Sequence, residues 1–170
     1  GARLALHYRD AAGYVRNNTL NRKEPQRDEF AGRLTIDSDI SDSFDISWRT
    51  EAGKYRTTGR QIEIFGETPI AAGPLTGLRY SQIVSGPIPA LPQGQNRSAS
   101  NNVIDFQRSS NGDSSKLSTF ESALTMTYRV NDNLTLTSVT GVSNYTLNEL
   151  CDCDFVGASV FDAGITEDYD

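Results

Sequence analysis

The segment from residue 118 to residue 147 constrains this chain most, because apolar and polar side chains alternate along it with a period of two. Over residues 118–130 the even positions hold Phe120, Ser122, Leu124, Met126, Tyr128 and Val130, and the odd ones hold Thr119, Glu121, Ala123, Thr125, Thr127 and Arg129. A strand built this way has one apolar and one polar face, whereas a helix needs a period of 3.6 to gather its apolar residues. A second run, residues 134–147, follows Asn131-Asp132-Asn133, residues that tolerate positive φ and suit a tight turn. The pair predicts a long antiparallel hairpin.

Shorter runs of the same kind occupy the N-terminal part. Leu4, Leu6 and Tyr8 oppose Ala5, His7 and Arg9, on a first strand expected to pass through a bulge at residues 10–13 and reach Tyr14 and Val15. Residues 16–28 are polar, aperiodic and broken by Pro25, which reads as a loop. Phe30, Gly32, Leu34 and Ile36 then oppose Glu29, Ala31, Arg33, Thr35 and Asp37. An acidic turn at residues 38–43 leads to Phe44, Ile46 and Trp48, opposed by Asp45, Ser47 and Arg49 on a strand that extends past Gly53 and Tyr55. About fifty residues rich in Gly and Pro follow, a connection that continues no sheet and holds short extended pieces at residues 62–65 and 78–84. Residues 109–115 read as a flexible polar run, and residues 148–170 as an acidic connection carrying both cysteines. The expected total is about five strands joined by alternately long and short connections. In the last strand the apolar residues change parity, from Leu134 and Leu136 to Val139, Tyr145 and Leu147, which a bulge and a partly covered second face explain equally well.

Strands of this length exceed the soluble mode of about five or six residues and reach the roughly nine to eleven that a tilted strand needs to cross a bilayer. Tiny turns at one end and long polar loops at the other complete the design of an outer-membrane barrel. The expected fold is therefore all-β, an antiparallel transmembrane β-barrel fragment. Residues 1–170 are expected to form part of the barrel domain of a larger outer-membrane protein. Arg33, Arg49, Glu121 and Arg129 share the odd parity and are assigned to the lumen, since an Arg facing lipid at the midplane costs roughly 2–4 kcal/mol. About five strands cannot close a barrel, so further strands are required from elsewhere. No secretion signal opens the chain and both ends are abrupt, as expected of a fragment.

The composition agrees with this class and removes others. Hydrophobic residues are 36% of the chain and the mean hydropathy is −0.48, values that exclude a helical membrane protein but suit a barrel, which uses apolar residues only at alternate positions. A net charge of −6 and a pI near 4.8 leave no basic stripe for nucleic acid.

Leu4-Ala5-Leu6-His7-Tyr8-Arg9-Asp10, Gly13-Tyr14-Val15-Arg16-Asn17, Gly32-Arg33-Leu34-Thr35-Ile36 and above all Leu134-Thr135-Leu136-Thr137-Ser138-Val139-Thr140-Gly141 resemble the early barrel strands of TonB-dependent outer-membrane receptors. The resemblance covers most of the strands and none of the loops. It implies a barrel of about 22 strands with short periplasmic turns and long outer loops. It also implies active uptake of a ferric siderophore, cobalamin or another scarce nutrient, in the bacterial outer membrane. The implied partners are outer-membrane lipid, the remaining strands and plug, and TonB, engaged through an N-terminal region this chain lacks.

Candidate sites are few. His7, the only histidine, lies on the polar parity with no partner group for catalysis, and no nucleophile triad or phosphate loop is present, so neither an enzyme nor a cofactor is expected. Asp37-Ser38-Asp39-Ile40-Ser41-Asp42 imitates a calcium loop but has Asp42 where glycine belongs and Trp48 where glutamate belongs, so a turn is expected. Cys151 and Cys153 suggest a disulfide, with free thiols or an external partner as the next alternative and a soft-metal ligand pair as the least favoured. Arg16, Arg22, Lys23 and Arg27 in the first loop, with Arg79, Tyr80, Arg97 and Arg108 in the second, supply cations and an aromatic ring for an anionic small-molecule chelate at the outer mouth. Two rival readings share most of these features: a soluble secreted all-β binding or adhesin module, whose even face would pack on another sheet, and a passive porin.

Overall fold

The computed structural model describes residues 1–85, 103–157 and 159–170. Its main element is a six-stranded antiparallel sheet in the order β1-β4-β5-β7-β8-β9. The strands are β1 (Ala2–Ala11), β4 (Gln26–Ser41), β5 (Phe44–Thr58), β7 (Ser114–Asn131), β8 (Leu134–Asp152) and β9 (Asp162–Tyr169). A second sheet of β2 (Val15–Asn17), β3 (Arg22–Glu24) and β6 (Gln107–Arg108) has the order β3-β2-β6, and a short helix α1 covers Tyr80–Ser85. The fold is all-β, and the large sheet remains open, with β1 and β9 on its edges.

The two expected hairpins form the centre of the sheet. Asp42-Ser43 links β4 to β5, and Asp132-Asn133 links β7 to β8, each beside a one-residue shift in register. Beyond those turns the pairing is regular, and it preserves parity from strand to strand. Leu4 pairs with Leu34, Ile36 with Trp48, Trp48 with Leu124, and Tyr128 with Leu136. Even residues of the first five strands therefore share one face, while Arg33, Arg49 and Glu121 lie on the other. A one-residue slip at any strand would mix the two, so the turns fix the character of both faces.

Several expected boundaries are corrected. The first strand does not bulge through residues 10–13: β1 ends at Ala11, Gly13 turns the chain out of the sheet at φ 79°, and Val15 opens β2 of the small sheet. Residues 16–28 contain β2, β3 and the start of β4 rather than a plain loop. The region at 78–84 is not extended, because Tyr80–Ser85 is helical, and residues 62–65 form no strand. Ser109, Ser110 and Asp113 are buried, so residues 109–115 are an interior segment. The last connection holds a further strand, since β8 runs on to Asp152 and β9 returns along it in register from Asp152–Asp162 to Tyr145–Tyr169. The main sheet thus has six strands where about five were expected.

The parity change in β8 is not a bulge. Its register with β7 is unbroken from Leu150 opposite Ser114 to Thr135 opposite Arg129. Towards the loop end the odd residues Arg27, Tyr55, Leu117, Tyr145 and Leu147 are half-covered, while their even neighbours Asp28, Lys54, Lys116, Thr146 and Asn148 are exposed. The odd face alone acquires a cover there, and apolar side chains follow it.

Candidate functional site

The molecule carries a polar cap, a charged wall and an apolar band. The small sheet and the segment around Asp113 form the cap at the loop end. Its interior is built from polar groups, with Asn17, Glu24, Arg108, Ser110, Asp113 and Asp152 all buried. Arg108 donates to Asp113 Oδ2 at 2.7 Å and to the Arg60 carbonyl at 2.7 Å, and it lies 3.7 Å from Glu24. Arg22 Nε and Asn17 Nδ2 both donate to Glu24 Oε1, at 2.8 and 3.1 Å. Asn17 Oδ1 in turn accepts the backbone N–H groups of Thr19 and Leu20, which closes the β2–β3 turn. Arg60 extends the network to Glu149 on β8. Buried charges persist only when paired and hydrogen-bonded, and here Glu24 and Asp113 each have a guanidinium within reach.

A second set of carboxylates locks the β8–β9 connection. Asp152 accepts the N–H groups of Asn111 and Phe155, and Asp154 accepts those of Val156, Val160 and Phe161. Burial, with Asp154 beside it, pushes the Asp152 carboxyl up to about 6. Tyr80 donates its hydroxyl to the Asp154 carbonyl at 2.5 Å, and burial together with Asp154 and Asp152 pushes its phenol up to about 12. Asp152, Asp154 and Asp162 lie close enough to surround a cation, yet each already accepts hydrogen bonds that hold the loop. Cys151 and Cys153 are joined by a disulfide, so neither offers a thiolate to a metal.

The odd face of the sheet is a wall of ion pairs. Arg33 and Arg49 both donate to Glu51 Oε2, at 2.7 and 3.2 Å, and Arg129 pairs with Asp45 near the turn end. His7 lies 3.5 Å from Glu29 on the same face. The cationic partners are about half exposed and the carboxylates less so, and each such pair contributes little stability. They make the wall polar.

The even face is its opposite. Phe44 and Tyr128 meet edge to face at 6.4 Å at the turn end, and Ile46, Met126, Trp48, Leu124, Ile36, Leu34, Leu6 and Phe120 continue the surface to Tyr8 and Phe30. Trp48 donates its indole N–H to Ser122 Oγ at 2.9 Å, so the one polar atom of the ring is satisfied on the sheet itself. Nothing among the described residues covers this surface at the β1 side, where Leu4, Leu6 and Tyr8 are 66–69% exposed. Beyond Tyr8 and Phe30 the same face turns polar at Asp10, Asp28, Arg56 and Lys116.

The structure separates the cations expected at one binding surface. Arg108 is a correction: its guanidinium is buried among Asp113, Glu24 and the Arg60 carbonyl, out of reach of a ligand at the mouth. Arg22 is likewise engaged by Glu24. Arg16 and Lys23 are exposed, with Arg16 donating to Asn21 Oδ1, and Arg27 is half-covered on the odd face. Arg79 is exposed and donates to the Glu67 carbonyl at 2.6 Å, next to half-buried Tyr80. Arg97 lies outside the described residues. Asp37 and Asp39, from the calcium-like segment, stand in β4, and the turn there shrinks to Asp42-Ser43. Sequence reasoning missed Glu24, Asp113 and Arg60, the centre of the cap. A glutamate next to the loop's only proline, Pro25, was the available signal.

Compared with known proteins, the chain matches no protein-family model, no curated protein and no solved structure.

Proposed function

We propose that this chain is a wall segment of an outer-membrane β-barrel, from a TonB-dependent receptor that takes up a scarce nutrient such as a ferric siderophore. The single observation that carries the membrane reading is the even face, a mainly apolar band, interrupted by small polar residues such as Thr50 and Ser122, edged by aromatic residues at both ends and backed by a wall of ion pairs. Ten residue steps separate Phe44, at one aromatic edge, from Lys54, in the row of Phe30 at the other. At about 3.3 Å per residue and a tilt of about 40° this spans roughly 25 Å, the height of the apolar band on such barrels. Aromatic rings favour the two membrane interfaces because they are apolar in body and polar at the tip, as Tyr8 and Tyr128 are.

The other elements take consistent roles. Short turns at Asp42-Ser43 and Asp132-Asn133 face the periplasm, and the loop end with its cap faces outward. Odd residues line the lumen. The open edges at β1 and β9 pair with further strands, which closes the barrel and satisfies their backbone groups. The choice of a TonB-dependent receptor over a passive porin rests on the resemblance of the strand sequences, with Leu134-Thr135-Leu136-Thr137-Ser138-Val139-Thr140-Gly141 the most specific. The candidate contacts for an anionic chelate reduce to Arg16, Arg79 and Tyr80, which lie in the cap and loops, with Arg97 beyond the described residues. The protein performs no catalysis in this reading.

Deleting the complete open reading frame tests the function. Uptake of one nutrient chelate is expected to fall to the level of a strain without TonB, and to return when the gene is restored. Unchanged uptake of ferric chelates, cobalamin and other large nutrients would contradict the receptor reading.

A further inference from the structure

On the odd face Arg33, Arg49 and Arg129 are in ion pairs, while Arg3, Arg9 and Arg27 form none among the described residues. On the even face Lys54, Arg56 and Lys116 are exposed, and none forms an ion pair or side-chain hydrogen bond among the described residues. Arg56 stands directly opposite Lys116, and Lys54 lies on the same face of β5 two residues away. Together with Asp28, Phe30, Leu117 and Ser118 they line a shallow recess of about 410 Å³. The Cβ atoms of cross-strand neighbours on one face are roughly 5 Å apart, so the long side chains of Arg56 and Lys116 can converge on a single anion. Asp28, opposite Arg56, supplies only one compensating charge.

We propose that Lys54, Arg56 and Lys116 form a docking site for the phosphorylated headgroup of an outer-leaflet lipid. The inference rests on the barrel reading, which places this face towards lipid and the loop end outward. The cluster begins where the apolar band ends: Lys54 shares its row with the aromatic residue Phe30, and Arg56 and Lys116 occupy the next row out. A headgroup phosphate lies at that level while its acyl chains run down over Phe30, Phe120, Leu34 and Leu124. Long Lys and Arg side chains reach such a phosphate with their stems against the apolar surface. Arg56 can give two parallel hydrogen bonds, and the lysines act as point charges beside it. A free phosphate would gain the charges but not the apolar contact, so a lipid is the favoured source.

The complete barrel protein, reconstituted in bilayers and then extracted into mild detergent, provides the test, with native mass spectrometry counting bound lipid. The probes are bisphosphorylated lipid A, monophosphorylated lipid A and inorganic phosphate. Bisphosphorylated lipid A is expected to bind the parent protein at least about tenfold more tightly than the triple variant Lys54→Gln, Arg56→Gln, Lys116→Gln, with the monophosphorylated form between them. High salt should narrow the gap. Equal binding to parent and variant, both inserted in bilayers, would overturn the site and leave the barrel intact. Displacement of the lipid by millimolar inorganic phosphate would overturn the lipid as occupant. Failure of both proteins to insert would instead overturn the barrel reading, and the site with it.

Discussion

Arg108 and Asp113 meet at 2.7 Å with both side chains almost wholly withdrawn from solvent. The pair ties β6 to the start of β7, and through Glu24 and Arg60 it reaches β3 and the segment just after β5. Removing one partner leaves an uncompensated charge in the interior, a loss of about 3–5 kcal/mol. Arg108→Ala is therefore expected to open the cap, read as faster amide exchange at Gly59 and Asp152, whose N–H groups bond to Asp113. Exposed Arg79→Ala should cost under about 1 kcal/mol. Equal, small effects of the two substitutions would contradict the structural role given to Arg108.

Gly59 makes a separate test of the same centre. It adopts φ +83°, and a Cβ there would stand 2.3–2.6 Å from the Glu24 side chain. Gly59→Ala must therefore both strain the backbone and displace a fully buried carboxylate. A loss above about 1 kcal/mol is expected in urea titrations of the cap. A neutral or stabilising effect would show that Glu24 does not sit against residue 59.

Asp152 gives the cap a pH dependence of unusual sign. It lies at the loop end, outside the apolar band, and its carboxyl is pushed up from 3.8 to about 6. The folded cap thus binds this proton more tightly than the unfolded chain does. Its contribution is most favourable below about pH 4 and is lost as the pH rises through about 6. Amide exchange at Asn111 and Phe155, which bond to Asp152, should report easier opening at pH 7.5 than at pH 5 after correction for intrinsic rates. Asp152→Asn should flatten that difference; the same opening free energy for the parent at both pH values would refute it.

Adjacent residues on β7 should respond oppositely to the same substitution. Leu124→Arg puts a charge on the apolar face and is expected to cost roughly 2–4 kcal/mol in a bilayer, whereas Thr125→Arg on the polar face should cost little. Folding titrations of the complete protein into lipid vesicles measure both. Equal costs would deny the faces their different solvents.

How far the sequence could be read follows from how each element is held. The β4–β5 and β7–β8 hairpins were legible because period-two alternation, local pairing and a two-residue turn all sit within one stretch of chain. The cap was not. Its parallel contact joins Arg16 to Gln107 and Asn17 to Arg108, residues far apart in sequence, through strands of two and three residues that are too short to show a period. Its interior residues, Asn17, Glu24, Asp113 and Asp152, are of types that ordinarily mark a loop surface. β9 escaped for a related reason: Thr166, Glu167 and Asp168 resemble an acidic tail, and only pairing with β8 makes them a strand. Arg108 looks in the sequence like any other loop cation, because sequence does not distinguish a cation facing solvent from one facing the buried carboxylates of Asp113 and Glu24.

The membrane reading is tested most directly by placing single fluorescent labels along β7 and β8 in the complete protein, in vesicles whose acyl chains carry bromine. Labels at Leu124, Met126 and Leu136 are predicted to be quenched, and labels at Thr125, Thr127 and Thr137 to keep their emission. Quenching that ignores parity, or is absent at every position, would contradict the account of the even face as a lipid-facing wall.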